Sequence, residues 1–429
     1  MCRKPYIASF LLLMACGGGT KAGPPPDVAP RKERTPEQGP TASQAAAKKF
    51  GEAVAELDTQ KKAGKVDLVA LKPLFEAAAK EDKQFAEAHY NLGVIAEAEG
   101  KAQDAEKSYR LALAIDSKLG LAATNLAGVL VDQGKVDDAL KMLESFVKVD
   151  PSQARPRVAL AQIYRDKKRY EDALEQCRAA LQRDPRNLEA FETMSVTYAD
   201  MGNPPMSRLV GARGLKVDDK DAIIHYTRGR LVLAENKIPE AVLEFKRALE
   251  ANPDLRGARI DLAEVALNYR DFGNAKLHYS ELLKQTPNDL ALLVNLGIAN
   301  KGLGLTDEAK AAYEKALQLD KQNPAATMNL AILYHRNLND FAQALKYYQL
   351  YEQKPAAEGG PDAATIKAAI TELEQTIAAL KEAEKFEQME KERAATQPAQ
   401  PEQPPPGDGA QQPTPDGQAA PASQPTGAQ

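Results

Sequence analysis

The sequence predicts an all-α chain folded as an elongated solenoid of helical hairpins, and three observations carry that prediction. Alanine, leucine, lysine and glutamate dominate, tryptophan is absent, and β-branched residues are sparse. Straight-chain residues of this kind lose little rotamer freedom on a helix. The sequence also repeats itself every thirty-four residues from Ala86 onward. Finally, prolines recur at one phase of the repeat, where they stop a helix.

The repeat is read from its columns. Leu92-Gly93, Leu126-Ala127, Leu160-Ala161, Met194-Ser195, Arg228-Gly229, Leu262-Ala263, Leu296-Gly297 and Leu330-Ala331 follow one another at a thirty-four-residue spacing. A column of small residues runs Ala105, Ala139, Ala173, Ser207, Ala241, Ala275 and Ala309. A bulkier one runs Tyr109, Leu143, Cys177, Gly211, Phe245, Tyr279 and Tyr313. Two antiparallel helices approach closely only where a small side chain faces a large one, so the two kinds of column predict the contact inside each hairpin. Pro151, Pro185, Pro253 and Pro287 are expected to end one unit and start the first helix of the next. No hairpin buries its apolar face alone, so the units must stack into one core.

Period and columns together resemble the tetratricopeptide repeat (TPR) family, which implies a right-handed superhelix of helix-turn-helix units. Eight units span residues 86–358. The eighth, from Pro324, needs one extra residue in its turn (Arg336-Asn337-Leu338-Asn339-Asp340) before regaining phase at Ala344, Tyr348 and Tyr351. Residues 43–85 form a degenerate first helix pair with Phe75 and Ala78 in the right columns. Residues 359–395 read as a charged capping helix, and residues 396–429, mostly Pro, Gln, Ala and Gly, as a disordered tail. Unit four departs most: Gly211 and Gly214 replace larger residues and Pro204-Pro205 occupies the turn. Lost side-chain volume predicts an underpacked hairpin, either a flexible joint or a unit that has merely drifted.

The N-terminus reads as an address. Arg3 and Lys4 precede the apolar run from Tyr6 to Ala15, which is too short to span a bilayer. Leu13-Met14-Ala15-Cys16 resembles the bacterial lipobox, which implies a signal peptide over 1–15 and lipidation of Cys16; the alternative is an ordinary signal peptide with an incidental cysteine. Loss of Arg3 and Lys4 would take the formal charge from −4 to −6. Residues 16–42 are rich in Gly and Pro and read as a tether. By the lipoprotein resemblance, Gly17 in place of aspartate favours an outer-membrane lipoprotein facing the periplasm.

The TPR resemblance places ligand-facing side chains at positions two, five, six, nine, twelve and thirteen of each unit, on a concave face lined by first helices. Position six holds Asn91, Asn125, Ala159, Thr193, Thr227, Asp261, Asn295 and Asn329. A carboxamide both donates and accepts, so such a row can pair with an extended peptide backbone. Position nine (Val94, Gly128, Gln162, Val196, Arg230, Glu264, Ile298, Ile332) lacks the asparagine of the carboxylate clamp found in chaperone-binding members. The expected partners are envelope proteins or extended peptides in this groove, and a membrane through the N-terminal lipid.

Enzymatic chemistry and nucleic acid are not expected. Acidic and basic residues alternate, leaving no polyanion-binding stripe. Among four histidines and three cysteines there is no His-x-x-x-His and no Cys-x-x-Cys, so no metal or other cofactor is expected. Cys177 falls in a core column, while His89 and His225 share position four and are expected to replace an aromatic ring. Lipobox, tether, long array and tail together resemble the adventurous gliding-motility TPR lipoproteins of myxobacteria, which implies a scaffold in a trans-envelope complex. The alternatives are a pilotin or secretion-assembly lipoprotein escorting an outer-membrane pore protein, and a periplasmic chaperone-like peptide binder.

Overall fold

The computed structural model describes residues 43–64, 66–353 and 362–396. The leader, Cys16, the tether and residues 397–429 of the tail lie outside the described residues. The chain folds as hairpins, beginning with α1 (Gln44–Lys62) and α2 (Lys72–Glu81), then α3 (Ala86–Ala98) and α4 (Ala102–Ile115). Next come α5 (Gly120–Asp132) with α6 (Val136–Val149), α7 (Ala154–Asp166) with α8 (Tyr170–Arg183), and α9 (Leu188–Asp200) with α10 (Pro204–Gly214). They continue as α11 (Ala222–Ala234) with α12 (Ile238–Ala251), α13 (Arg256–Asn268) with α14 (Phe272–Gln285), and α15 (Leu290–Gly302) with α16 (Thr306–Leu319). The last pair is α17 (Pro324–Leu333) with α18 (Phe341–Glu352). These eighteen helices form one compact unit in which each packs on the next, and α19 (Ala363–Thr396) belongs to a second.

Two local devices repeat with the period. Inside each hairpin the chain reverses through one left-handed residue: Gly100, Gly134, Lys168, Gly202, Asn236, Arg270 and Gly304 all have φ between 59° and 77°. Glycine accepts that conformation freely, whereas lysine and arginine are strained by their Cβ. Between hairpins an Asp or Asn side chain accepts the backbone N–H two residues on, as in Asp116 to Lys118, Asp150 to Ser152, Asp184 to Arg186 and Asp320 to Gln322, at 2.9–3.1 Å. These Asx turns carry the chain from a second helix to the next first helix.

The prolines do one of their two expected tasks. Pro151, Pro185, Pro253 and Pro287 each follow the residue that caps a second helix, and the next first helix begins three residues later. They terminate helices: three stand inside the Asx turns of Asp150, Asp184 and Asn252, and after Pro287 the side chain of Asp289 caps α15. Pro204 and Pro324 do open helices, at α10 and α17, behind the capping side chains of Asn203 and Asn323.

The small-against-large contact is present. A Cβ placed on Gly93, Gly229 or Gly297 would lie 2.5, 2.5 and 2.3 Å from the rings of Tyr109, Phe245 and Tyr313. Those rings are fully buried. In the degenerate first pair Phe50 packs against Phe75 and Phe85 at ring separations of 5.5 and 4.9 Å, and Ala78 is buried beside them.

Unit four is not underpacked, contrary to the expectation from its glycines. Ile224 of α11, fully buried, fills the space above α10: a Cβ on Gly214 would meet its Cδ1 at 2.3 Å, and one on Gly211 its Cγ2 at 3.1 Å. Within the hairpin Ser195 Oγ donates to the Ser207 carbonyl at 3.0 Å, and Ser207 Oγ donates back to the Ser195 carbonyl at 2.7 Å. A reciprocal clasp of buried hydroxyls thus replaces apolar packing, and the flexible joint loses its physical basis.

The extra residue of unit eight is absorbed as predicted in place but in an unexpected form. Residues Tyr334–Leu338 make a π-helical turn, ended by Asn339 in the left-handed region at φ 53°. The first helix widens before the chain reverses, and π-turns of this kind recur at functional sites.

Two substitutions test these devices. Arg270→Gly relieves about 1–2 kcal/mol of left-handed strain and adds about 0.5–1 kcal/mol of unfolded-chain entropy, so a net gain of about 0.5–1 kcal/mol is expected in urea unfolding. Gly229→Ala improves helix propensity by about 1 kcal/mol but drives a methyl into the Phe245 ring, at an overpacking cost of about 1–3 kcal/mol. A net loss of stability is expected, and a gain would contradict the close-contact role.

Candidate functional site

The first helices α3, α5, α7, α9, α11, α13, α15 and α17 present their inner positions side by side, and the candidate site is that face. The position-six residues do not all line it. Asn91, Thr193 and Thr227 are buried, at 1%, 3% and 6% exposure, which puts them out of a ligand's reach. The hydroxyl of Thr227 is spent on the Ile223 carbonyl of its own helix at 2.7 Å. Asn125, Asp261, Asn295 and Asn329 are half-buried. A continuous asparagine ladder is therefore not available, and this corrects the reading of position six. The physical reason is that the side chain at this place stabilises the tyrosines beneath it. Asn125 Nδ2 donates to the Tyr109 hydroxyl at 3.2 Å and to that of Tyr90 at 3.4 Å. Tyr109 in turn donates to the Glu97 carboxylate. Asp261 accepts from the Tyr226 hydroxyl.

In four of the eight units position four is a donor site. His89 Nε2 donates to the Lys83 carbonyl at 3.1 Å, Arg157 Nε to that of Pro151 at 3.1 Å, and His225 Nε2 to that of Asp219 at 3.0 Å. Arg259 makes the same bond to Pro253. Each reaches back six residues to the loop between hairpins, so these side chains satisfy an exposed loop carbonyl; they do not replace an aromatic ring. His225 is itself buried, with its other ring nitrogen 2.6 Å from the Glu244 carboxylate.

Across the middle of the inner face runs a row of alternating charges on successive first helices. Arg165 of α7 binds Asp166 at 2.8 Å and reaches Asp200 of α9 at 3.8 Å. Arg230 of α11 opposes the burial that lifts the carboxyls of both Asp200 and Asp261. For Asp261 burial is the larger effect, with the Glu264 charge adding to it, and its pKa is pushed up to about 6. Arg165 and Arg230 thus offset part of the cost of burying Asp200 and Asp261.

Beside this row, Glu192 of α9 is hydrogen-bonded to Asp221, whose carboxylate also caps α11 by accepting the Ile224 N–H at 2.7 Å. Burial first, and then the hydrogen bond and charge of Asp221, push Glu192 up to about 8. Two carboxyls sharing one site cannot both ionise cheaply, so Glu192 keeps the proton.

No converging set of three or more His, Cys, Asp or Glu suited to a metal ion occurs among the described residues. The Cys177 thiol is fully buried and pushed up to about 12 by that burial, which makes it a core residue of low reactivity. No helix among the described residues is long and apolar enough to cross a membrane.

A stack of helical hairpins with a charged and polar inner face defines the class as an α-solenoid binding scaffold. The tetratricopeptide-repeat family model matches residues 72–119, 124–187, 226–290 and 294–361, more than half of the chain. The chain belongs to the tetratricopeptide-repeat family. It is 32% identical over 107 residues to the Protein CTR9 homolog of Arabidopsis thaliana, covering 25% of this chain but 10% of that one. It is 24% identical over 174 residues to the type IV pilus assembly protein PilF of Pseudomonas aeruginosa, covering 38% of this chain and 66% of that one. Both relatives are thus spanned over less than two thirds of their length. Among solved structures, a thermophilic TPR protein of Thermus thermophilus aligns at a TM-score of 0.38 and 23% identity, covering 42% of this chain and 99% of that one.

The Glu192 site gives a pH-dependent outcome. A carboxyl whose folded pKa exceeds its unfolded value holds a proton that unfolding releases, so its contribution is intact at low pH and is lost as pH rises from about 4.5 to about 8. Glu192→Gln should therefore raise the thermal midpoint at pH 8 by a few degrees and leave it near wild type at pH 4.5. An equal shift at both pH values would show that the carboxyl is not protonated in the fold.

Proposed function

We propose that this chain is a protein-binding scaffold held at a bacterial envelope membrane by a lipid on Cys16, taking its partner along the inner face of the first helices. The observation that carries the proposal is the row of first helices, whose inner positions carry alternating charges from Arg165 through Asp200 and Arg230 to Asp261. Proteins of the TPR family are generally non-enzymatic interaction scaffolds. The lipobox-like Leu13-Met14-Ala15-Cys16 and the Gly/Pro-rich stretch after it support the anchor. Gly17 supports outer-membrane placement, and the overall arrangement supports a trans-envelope complex of the gliding-motility kind.

A second reading has one observation of its own. The likeness to a type IV pilus assembly protein favours an assembly or pilotin-type lipoprotein that works on an envelope secretion or pilus machine. The chaperone-like reading loses support, because it depended on an asparagine row of which Asn91 is buried.

The two remaining readings separate on deletion. A motility scaffold's loss stops movement and leaves surface pili and secretion intact, whereas a pilotin's loss leaves its pore protein outside the outer membrane. Photo-crosslinkers at Asn125 and Asn295 should capture the partner from intact envelopes, and capture only from outer-face positions would overturn the inner-face assignment. For the anchor, wild-type chain is expected to partition into detergent with an acylated N-terminal cysteine in its mass spectrum. Cys16→Ala should leave the membrane fraction, since acyl chains supply the stable attachment. An unacylated wild-type N-terminus would remove the lipoprotein reading.

A further inference from the structure

The long helix α19 carries two apolar surfaces that do not continue one another. Ile366, Ile370, Leu373, Ile377 and Leu380 follow a four-three spacing along one face of its first half, where Ile366 and Leu373 are buried. Phe386 and Met389 come next in the sequence, yet at 3.6 residues per turn they lie on the opposite face. They are 60% and 59% exposed. Among the described phenylalanines Phe386 alone is exposed; the others are buried or half-buried. A ring and a thioether side by side, on a stretch otherwise built from charged residues, glutamine and alanine, form an apolar patch of the kind that marks an interaction site.

The residues around this pair are ordered by charge. Glu382, Phe386, Met389 and Arg393 stand at i, i+4, i+7 and i+11, the spacing of a helix-pairing seam, with Ala379 and Thr396 one step beyond at either end. All six are exposed. One flank of the seam carries Lys385 and Glu392, and the other carries Ala383 and Glu390. Glu382 and Arg393 form no ion pair among the described residues, whereas Lys391 and Glu387 pair with each other on the back of the helix. The acid and the base of the seam are therefore both available to a partner.

We propose that the second half of α19 is a self-association surface, on which a second copy of this chain docks antiparallel through Phe386 and Met389. A two-fold axis midway between those residues makes the seam complementary to itself. Phe386 of one chain then faces Met389 of the other, a favourable sulfur–aromatic contact, and Glu382 faces Arg393, each pairing occurring twice. Ala379 faces Thr396 at the ends, and Lys385 faces Glu392 on one flank. A parallel pair would instead set Glu382 against Glu382 and Arg393 against Arg393, which like-charge repulsion opposes.

Other occupants fit less well. Residues 397–429 hold no aromatic or large aliphatic side chain with which to cover a ring. Acid and base placed symmetrically about an apolar pair are what a second copy requires and what an unrelated partner does not. With only two apolar layers the seam is short, so the association depends on concentration. Its consequence is bivalency: a dimer presents two inner faces to one assembly, and the second engagement becomes intramolecular. The self-association does not depend on the inner face being the partner surface, so either reading can fail while the other stands.

Sedimentation velocity of the full chain over a hundredfold range of concentration should show monomer giving way to dimer. Phe386→Asp with Met389→Asp should stay monomeric with an unchanged helical circular dichroism spectrum. Glu382→Arg and Arg393→Glu should each weaken the dimer by about tenfold or more, since like charges then meet at both ends of the seam. The two substitutions in one chain exchange the partners and should restore it, a rescue that loss of folding cannot imitate. For direction, chains carrying Glu382→Cys and chains carrying Arg393→Cys are mixed and oxidised. A disulfide between the two kinds is expected, and linkage of Glu382→Cys chains to one another would overturn the antiparallel order. Monomer throughout the range, a dimer indifferent to the two aspartates, or a combined charge variant as weak as either single one would overturn the proposal. So would a photo-crosslinker at Phe386 that captures a different envelope protein in place of a second copy.

Discussion

The close approach of two helices within a hairpin is the contact on which everything else depends. Helix axes come near enough to share a core only where one side offers almost no side chain, and Gly93, Gly229 and Gly297 offer none to Tyr109, Phe245 and Tyr313. Each ring then reaches past its own hairpin toward the inner face. The Tyr109 hydroxyl meets the next unit at Asn125. One steric arrangement therefore sets both the spacing of the stack and the residues left for its inner face. The same logic explains unit four, where Ile224 enters the space that glycine leaves and paired serines hold the hairpin.

Loops follow a second, smaller rule. A left-handed residue reverses the chain inside a hairpin, an Asx turn redirects it between hairpins, and a donor at position four satisfies the loop carbonyl six residues back. These polar devices need little burial, so they tolerate varied sequence. That tolerance is why Lys168 and Arg270 can stand where Gly100 and Gly134 stand in other units, at some cost in strain.

On the inner face, burial and charge act against each other. Where arginine and carboxylate alternate across helices, from Arg165 to Asp261, the cost of partial burial is offset within the protein. Polar matching of this kind directs which partner fits more than how tightly any surface binds it.

The sequence by itself determined the helices, their pairing and their order, because small-against-large packing imposes a fixed period that is visible in the letters. The left-handed turn and the Asx turns at Asp116, Asp150 and Asp184 were not read from the letters, because Gly100, Lys168, Asn236 and Arg270 share the turn position and no single residue type marks it. What the letters left open was the fate of each polar side chain, which depends on neighbours a whole unit away. Position six read as a peptide ladder, yet Asn91 and Thr193 are covered and Asn125 serves two tyrosines. The prolines read as helix starts, but each stands three residues before the next first helix and only ends the one before it. Lys301 carried no signal in its own unit; only the stacking of α15 on α17 brings it to Asn329. Burial and cross-unit hydrogen bonding are properties of the packed stack, and the tertiary structure alone decides them.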